Sequence, residues 1–237
     1  MERLLSELVE RLRKAHGEAL VSVVLYGSGA TPEARDGLSD YNVLCVLRQV
    51  TPAELHRSES VFRWWREMKN PAPLLLSSDE VLTSTDCFPM EFHDICERHR
   101  ILFGEDVVKD IQVDDAFYRA QVEHELRAKM LRLRQKAGGL ISEKDLLLRL
   151  MCDSVSTFCV LFRHALRLAG DRPHYGKREV IAAASDRFGI SAQPFATLLD
   201  LRDDKLKPKQ VANSVELFAS YLKEIQSIVG AVNRMER

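Results

Sequence analysis

Leu4, Leu5, Leu8, Val9 and Leu12 recur at helical spacing with charged residues between them, which predicts an amphipathic helix over 2–16. The pattern then tightens to a β-branched apolar run, ALVSVVLYG (19–27), which ends at Gly27 and predicts a buried strand. A glycine-rich turn and a short helix around Pro32–Arg35 are expected next, and YNVLCVLRQV (41–50) predicts a second strand. Thr51, with Pro52 behind it and Glu54 three residues on, has the residues of a capping box and predicts a helix to about Lys69. PAPLLLSS (71–78) predicts a third strand, and FPMEFHDI (88–95) and RILFGED (100–106) predict short ones.

After Val113 the pattern is helical throughout. Asp114 is placed to cap a long helix that stops at Gly138–Gly139, and Ser142 with Asp145 opens another that runs to Gly170. Helices at about 176–188 and 191–201 follow, and a last one is expected from Lys207–Pro208 to about Val232. Short loops between long helices favour an antiparallel bundle. The change of period at 110–113 sets the expected domains: an α/β domain over 1–110 and an all-α helical bundle over 111–237, an α+β chain overall.

Composition narrows the function classes. Apolar types make up 46% of the 237 residues and charged types 29%, which is enough apolar surface to offset the ordering entropy of a folded chain. With 34 basic and 35 acidic residues the formal net charge is −1, so no global positive field exists to hold a long nucleic acid. The five cysteines lie mostly in apolar runs and read as reduced thiols. The charged start, MERLLSELVERLRK, has neither the apolar stretch nor the small-residue site of a signal peptide, and no apolar run approaches the ~18 residues of a membrane span. A cytoplasmic protein without a membrane partner is expected.

The chemistry is concentrated in VVLYGSGATPEARDGLSDYNVLCVL (23–47). A buried strand that ends at Gly27-Ser28 and turns into a helix presents backbone N–H groups and a hydroxyl, which suits a phosphate. Asp40 and Asn42 stand two apart at the start of the next strand, so their side chains project from one face. Oxygen ligands paired in that way beside a phosphate cradle suit Mg²⁺ bridging protein and triphosphate.

This segment resembles the nucleotidyltransferase superfamily typified by DNA polymerase β, the minimal nucleotidyltransferases and the aminoglycoside nucleotidyltransferases. The shared signature is an apolar strand, Gly-Ser, about ten residues, and Asp-x-Asp entering a second apolar strand; here it is Gly27-Ser28 and Asp40-x-Asn42. The motif covers about a tenth of the chain, and the order of elements extends the likeness over the first 110 residues. The resemblance implies a nucleotidyltransferase-like domain with a mixed sheet, followed by the helical bundle, with the site in the cleft between them. It implies Gly27 and Ser28 as nucleotide-binding residues, Asp40 and Asn42 as metal ligands and Asp40 as catalytic. The cofactor is then Mg²⁺, the donor a nucleoside triphosphate, and the reaction transfer of a nucleoside monophosphate to a hydroxyl on a small-molecule or protein acceptor. Two departures bear on activity: the second carboxylate is the neutral Asn42, and PAPLLLSS carries no third one, leaving Glu91 and Asp94 as candidates. A nucleotide-binding or regulatory, partner-binding protein of the same fold is the competing expectation.

Other signals read as structural. Gly27-Ser28-Gly29 opens like a dinucleotide fingerprint, but Pro32 stands at its last position. Cys87, His93, Cys96 and His99 lack the tight Cys-x-x-Cys pair of a structural zinc site. The Arg-to-His spacings Arg11–His16, Arg119–His124 and Arg167–His174 are as frequent as chance gives with this composition. Asp153 is a conceivable base, but an i,i+4 ion pair with Arg149 is the expected use. Of Trp64 and Trp65, one is expected in the core and one outside it.

Overall fold

A computed structural model describes residues 2–30 and 41–235. The chain divides into two compact units, residues 1–117 and 118–237.

The first unit is built on a four-stranded mixed sheet of order β3-β2-β1-β4. Its strands are β1 (Leu20–Tyr26), β2 (Asn42–Leu47), β3 (Leu74–Ser77) and β4 (His99–Gly104). β1 runs antiparallel to both β2 and β4, while β3 lies parallel to β2. Alternation along the strands supplies two cores. Val23, Leu25, Val43, Cys45 and Leu47 pack with Leu5, Leu8 and Leu12 of α1 (Glu2–His16) and with Val61 and Trp65 of α2 (Pro52–Glu67). Val24, Leu44 and Val46 face the other way, against Val81 of α3 (Ser78–Thr83) and Phe92 and Ile95 of α4 (Pro89–Glu97). Helices on both faces explain why the strands read as nearly unbroken apolar runs.

Capping fixes where the helices start. Thr51 Oγ1 accepts from the Ala53 amide at 3.2 Å, and the Glu54 carboxylate accepts from the Thr51 amide at 3.2 Å. Ser77 and Glu80 form the same reciprocal pair, so α3 leaves β3 without a loop.

The structure differs from the sequence reading at four places. FPMEFHDI is a helix, not a strand: Pro89 sits in its first turn, and Phe92 and Ile95, three apart, are both buried on one face. Asp114 accepts from the Ala116 amide at 2.8 Å in a turn that precedes the helix α5 (Tyr118–Gly138) instead of capping it. The next helix, α6 (Lys144–Leu168), starts after Glu143, which has no side-chain cap bond, so Ser142 is not its cap. Pro208 lies in a 3₁₀ turn, and Asn213 caps the last helix, α9 (Ser214–Arg234), by accepting from the Val215 and Glu216 amides at 3.0 and 3.2 Å. The helix expected at Pro32–Arg35 lies outside the described residues.

In the second unit α6 is the central element, packed against α5, α7 (Lys177–Phe188), α8 (Gln193–Arg202) and α9. Phe158, Phe162, Phe195 and Tyr221 form a connected aromatic core with ring centroids 5.2 to 6.2 Å apart. Among the described residues no helix is long and apolar enough to cross a membrane.

His16 ties α1 to α2. It is buried, and its Nε2 lies 3.0 Å from Ser58 Oγ, whose own proton goes to the Glu54 carbonyl. Ser58 therefore accepts from Nε2–H, and Nδ1 is a buried nitrogen with no partner. Burial first, then the charge of Arg57, lowers the His16 pKa below 6.5. The unfolded chain takes up a proton on this residue before the folded protein does, so its contribution is complete above about pH 6.5 and is lost as pH falls toward the folded pKa. Urea melts between pH 7.5 and 5 are expected to show a shallower loss of stability for His16→Gln than for wild type. Parallel pH profiles would contradict this assignment.

Candidate functional site

The end of β1 brings the sequence-predicted turn to one edge of the sheet. Tyr26, its last residue, pairs with Asn42 at the start of β2 and with His99 at the start of β4. Gly27 follows with φ +72°, a left-handed conformation that suits glycine, and leads into a 3₁₀ turn over Gly27–Ala30. The Gly27 N–H donates to the Arg98 carbonyl at 2.9 Å. A Cβ at Gly27 would lie 3.4 Å from Asn42 Nδ2, so the amide of Asn42 sits over the glycine. Gly27 thus contributes shape, with its own donor spent on Arg98. Asp40 and the side chain of Ser28 lie outside what the structure describes.

Strand alternation puts Asn42 on the same face as Leu44 and Val46, the face covered by α4. Tyr26 packs on that face as well. Burial, then the carboxylates of Asp94 and Glu91 on α4, push the Tyr26 phenol up to about 12, so it stays protonated across the physiological range. The two acidic residues that the sequence could not place are therefore electrostatically close to the strand end that carries Asn42. Neither Tyr26 nor Arg98 stands out in the sequence. Tyr26 is one residue before Gly-Ser, but nothing in the spacing relates Gly27 to Arg98, 71 positions later.

The donor set decides how a metal fits here. Asn42 offers one neutral oxygen, and among the described residues no group of three or more His, Cys, Asp or Glu is placed to hold an ion. These residues alone do not make a metal centre. A single Mg²⁺ carried by triphosphate oxygens needs few protein donors.

The spectinomycin adenyltransferase AAD(9) from Enterococcus faecialis, solved with ATP and spectinomycin, superposes with a TM-score of 0.62 over 96% of this chain and 99% of its own, at 11% sequence identity. The fold is nucleotidyltransferase-like. No family model matches the sequence, and no curated protein matches it.

The remaining sequence signals resolve into packing. His93 is bonded to Asp115 at 2.5 Å and His99 Nδ1 to the Ile95 carbonyl at 3.1 Å, so these two imidazoles do not converge on a shared ion. None of the five cysteines forms a disulfide. In the Arg-to-His pairs, Arg11 bonds to Glu7 while His16 is buried against Ser58, and Arg119 bonds to Glu123 while His124 is exposed. Trp65 is wholly buried, and Trp64 lies half-buried beneath Arg11, whose guanidinium is 4.2 Å from its ring centroid. Asp153 is exposed, and its expected ion pair with Arg149 does not form.

Proposed function

We propose that the protein transfers a nucleoside monophosphate from a magnesium-bound nucleoside triphosphate to a hydroxyl acceptor. The observation that supports this most is the turn at the end of β1, bonded to the Arg98 carbonyl and overlaid by Asn42, in a fold shared with an adenyltransferase solved with ATP. In this reading backbone N–H groups after Gly27 and the Ser28 hydroxyl hold the β- and γ-phosphates, while Asp40 and Asn42 hold the metal. Magnesium bound there would neutralise charge on the triphosphate and on the transferring phosphoryl group. Holding the acceptor hydroxyl in line with the leaving pyrophosphate supplies much of the rate. In this reading the third carboxylate is Asp94 or Glu91 of α4, and it takes the hydroxyl proton.

Asn42 favours a second reading, a nucleotide-binding protein of the same fold without turnover, because it replaces one of two metal-holding charges with a neutral amide. One experiment separates the two. Wild-type protein is melted with millimolar Mg²⁺ and each of the four nucleoside triphosphates, then incubated with α-labelled nucleotide and hydroxyl acceptors that include spectinomycin. A triphosphate at a hundred times its Kd adds about 2.7 kcal/mol of stability, a shift of several degrees. The expected result is that shift together with labelled acceptor and pyrophosphate. A shift without product supports the binding protein, and unshifted melts with all four nucleotides overturn both readings. If Asp94 or Glu91 takes the proton, Asp94→Asn or Glu91→Gln keeps the shift and loses product; if neither does, that assignment fails.

A further inference from the structure

We infer that the groove between α5 and α6 is a binding site for a small phosphorylated polyol, with the phosphate on Arg132 and Lys136 and a hydroxyl on Asp153. The groove encloses about 180 Å³. That is well below the ~300–1,000 Å³ of sites for drug-sized ligands, and it suits one small ring and a phosphate.

The α5 wall carries Lys129, Arg132 and Lys136. Positions 129, 132 and 136 share one helical face, so three cations stand in a row. Nearer the helix start the cations are neutralised in place: Arg127 bonds to Glu123 at 2.8 Å and Lys129 to Glu125 at 3.2 Å. Carboxylates then run out, because no Asp or Glu occurs between Leu126 and Ser142. Arg132 and Lys136, both exposed, have no ion-pair partner among the described residues. They stand four apart, where like charges on a helix repel. A dianion between them would relieve that repulsion and accept charge-assisted hydrogen bonds from both.

The opposite wall belongs to α6 and has different chemistry. Asp153 and Thr157, four apart on one face, line the groove, and Leu133 and Phe158 form its apolar floor. Asp153 closes no ion pair with Arg149 on its own helix or with the cations opposite. An isolated carboxylate repels a bare anion, so a ligand that satisfies both walls carries an anionic end and a hydrogen-bond donor at the other. A phosphorylated polyol has both, and its C–H faces suit the floor.

Calorimetry on the full chain at low salt with ribose 5-phosphate, inorganic phosphate and ribose as probes tests the proposal. Ribose 5-phosphate is expected to bind more tightly than either of the other two. Arg132→Gln and Lys136→Gln, at exposed positions that the fold does not need, should each weaken it about tenfold or more. Asp153→Asn should weaken ribose 5-phosphate and strengthen inorganic phosphate, since it exchanges a charged acceptor of the hydroxyl for a weaker neutral one and removes a repelling charge. Absence of ribose 5-phosphate binding, or binding that both α5 variants leave unchanged, overturns the site. Equal affinity for ribose 5-phosphate and inorganic phosphate, or an Asp153→Asn protein that behaves as wild type toward both, overturns the polyol assignment. None of these residues belongs to the turn at the end of β1, so this proposal stands or falls apart from nucleotidyl transfer.

Discussion

Replacing Asp40 by alanine is expected to abolish magnesium-dependent nucleotide binding, a loss of roughly a hundredfold or more, whereas Asn42→Ala should weaken it by only about tenfold. A hard divalent cation draws most of its protein-derived stabilisation from charged oxygen, and a neutral amide mainly completes its geometry. The structure adds a reason for Asn42 to be the milder loss: its amide overlies Gly27, so part of its work is to pack against the turn. Titration calorimetry of each variant with Mg-ATP, set against ATP in chelator, measures the effect on the metal directly. If Asn42→Ala were the worse variant, the amide would be the principal ligand and the assignment of Asp40 would be wrong. If both variants kept wild-type affinity, the nucleotide would be held elsewhere.

Much of the fold was legible in the sequence because its local signals agree with its packing. Thr51-Pro52 with Glu54 starts α2 as written, and the β-branched runs at 20–26 and 42–47 are the central strands, buried on both faces. The stretch 88–95 misled because Met90 and Phe92 alternate with Glu91 and His93, a strand-like rhythm that lasts only four residues. Pro89 was the better signal, since a proline is tolerated in a first helical turn. That misreading also hid part of the candidate site. On a strand, residues 91 and 94 point to opposite faces; on α4 they lie three apart on one face, which is how both come to act on Tyr26. The hydrogen bond from Gly27 to the Arg98 carbonyl was beyond reach for another reason: it depends on β4 lying beside β1, and strand order is not written in local periodicity.

That same pairing leaves no room for a side chain at Gly104. Gly104→Ala is expected to destabilise the protein by about 3 kcal/mol or more. The residue ends β4 opposite Ser22, with φ +78°. Holding an L-residue in that conformation alone costs roughly 1–2 kcal/mol. The space is worse than the dihedral, because an added Cβ would sit 1.9 Å from the Val21 carbonyl oxygen and 3.2 Å from Ser22 Cα, both backbone of β1. No rotamer relieves a clash with backbone, so the two strands must part. Parting them strains the bond from Ser22 Oγ to the Glu105 carbonyl, 2.6 Å long, and leaves buried polar groups short of partners. Gly138→Ala is the control: it lies in the last turn of α5 with nothing within 4 Å of an added Cβ, so the same substitution there should be neutral or stabilising by up to about 1 kcal/mol. Urea denaturation of the two variants beside wild type reads opposite signs if the register between β1 and β4 is as described. Equal midpoints would mean that β4 does not close on β1 at Gly104, and the Arg98 carbonyl would then lose its reason to lie beside Gly27.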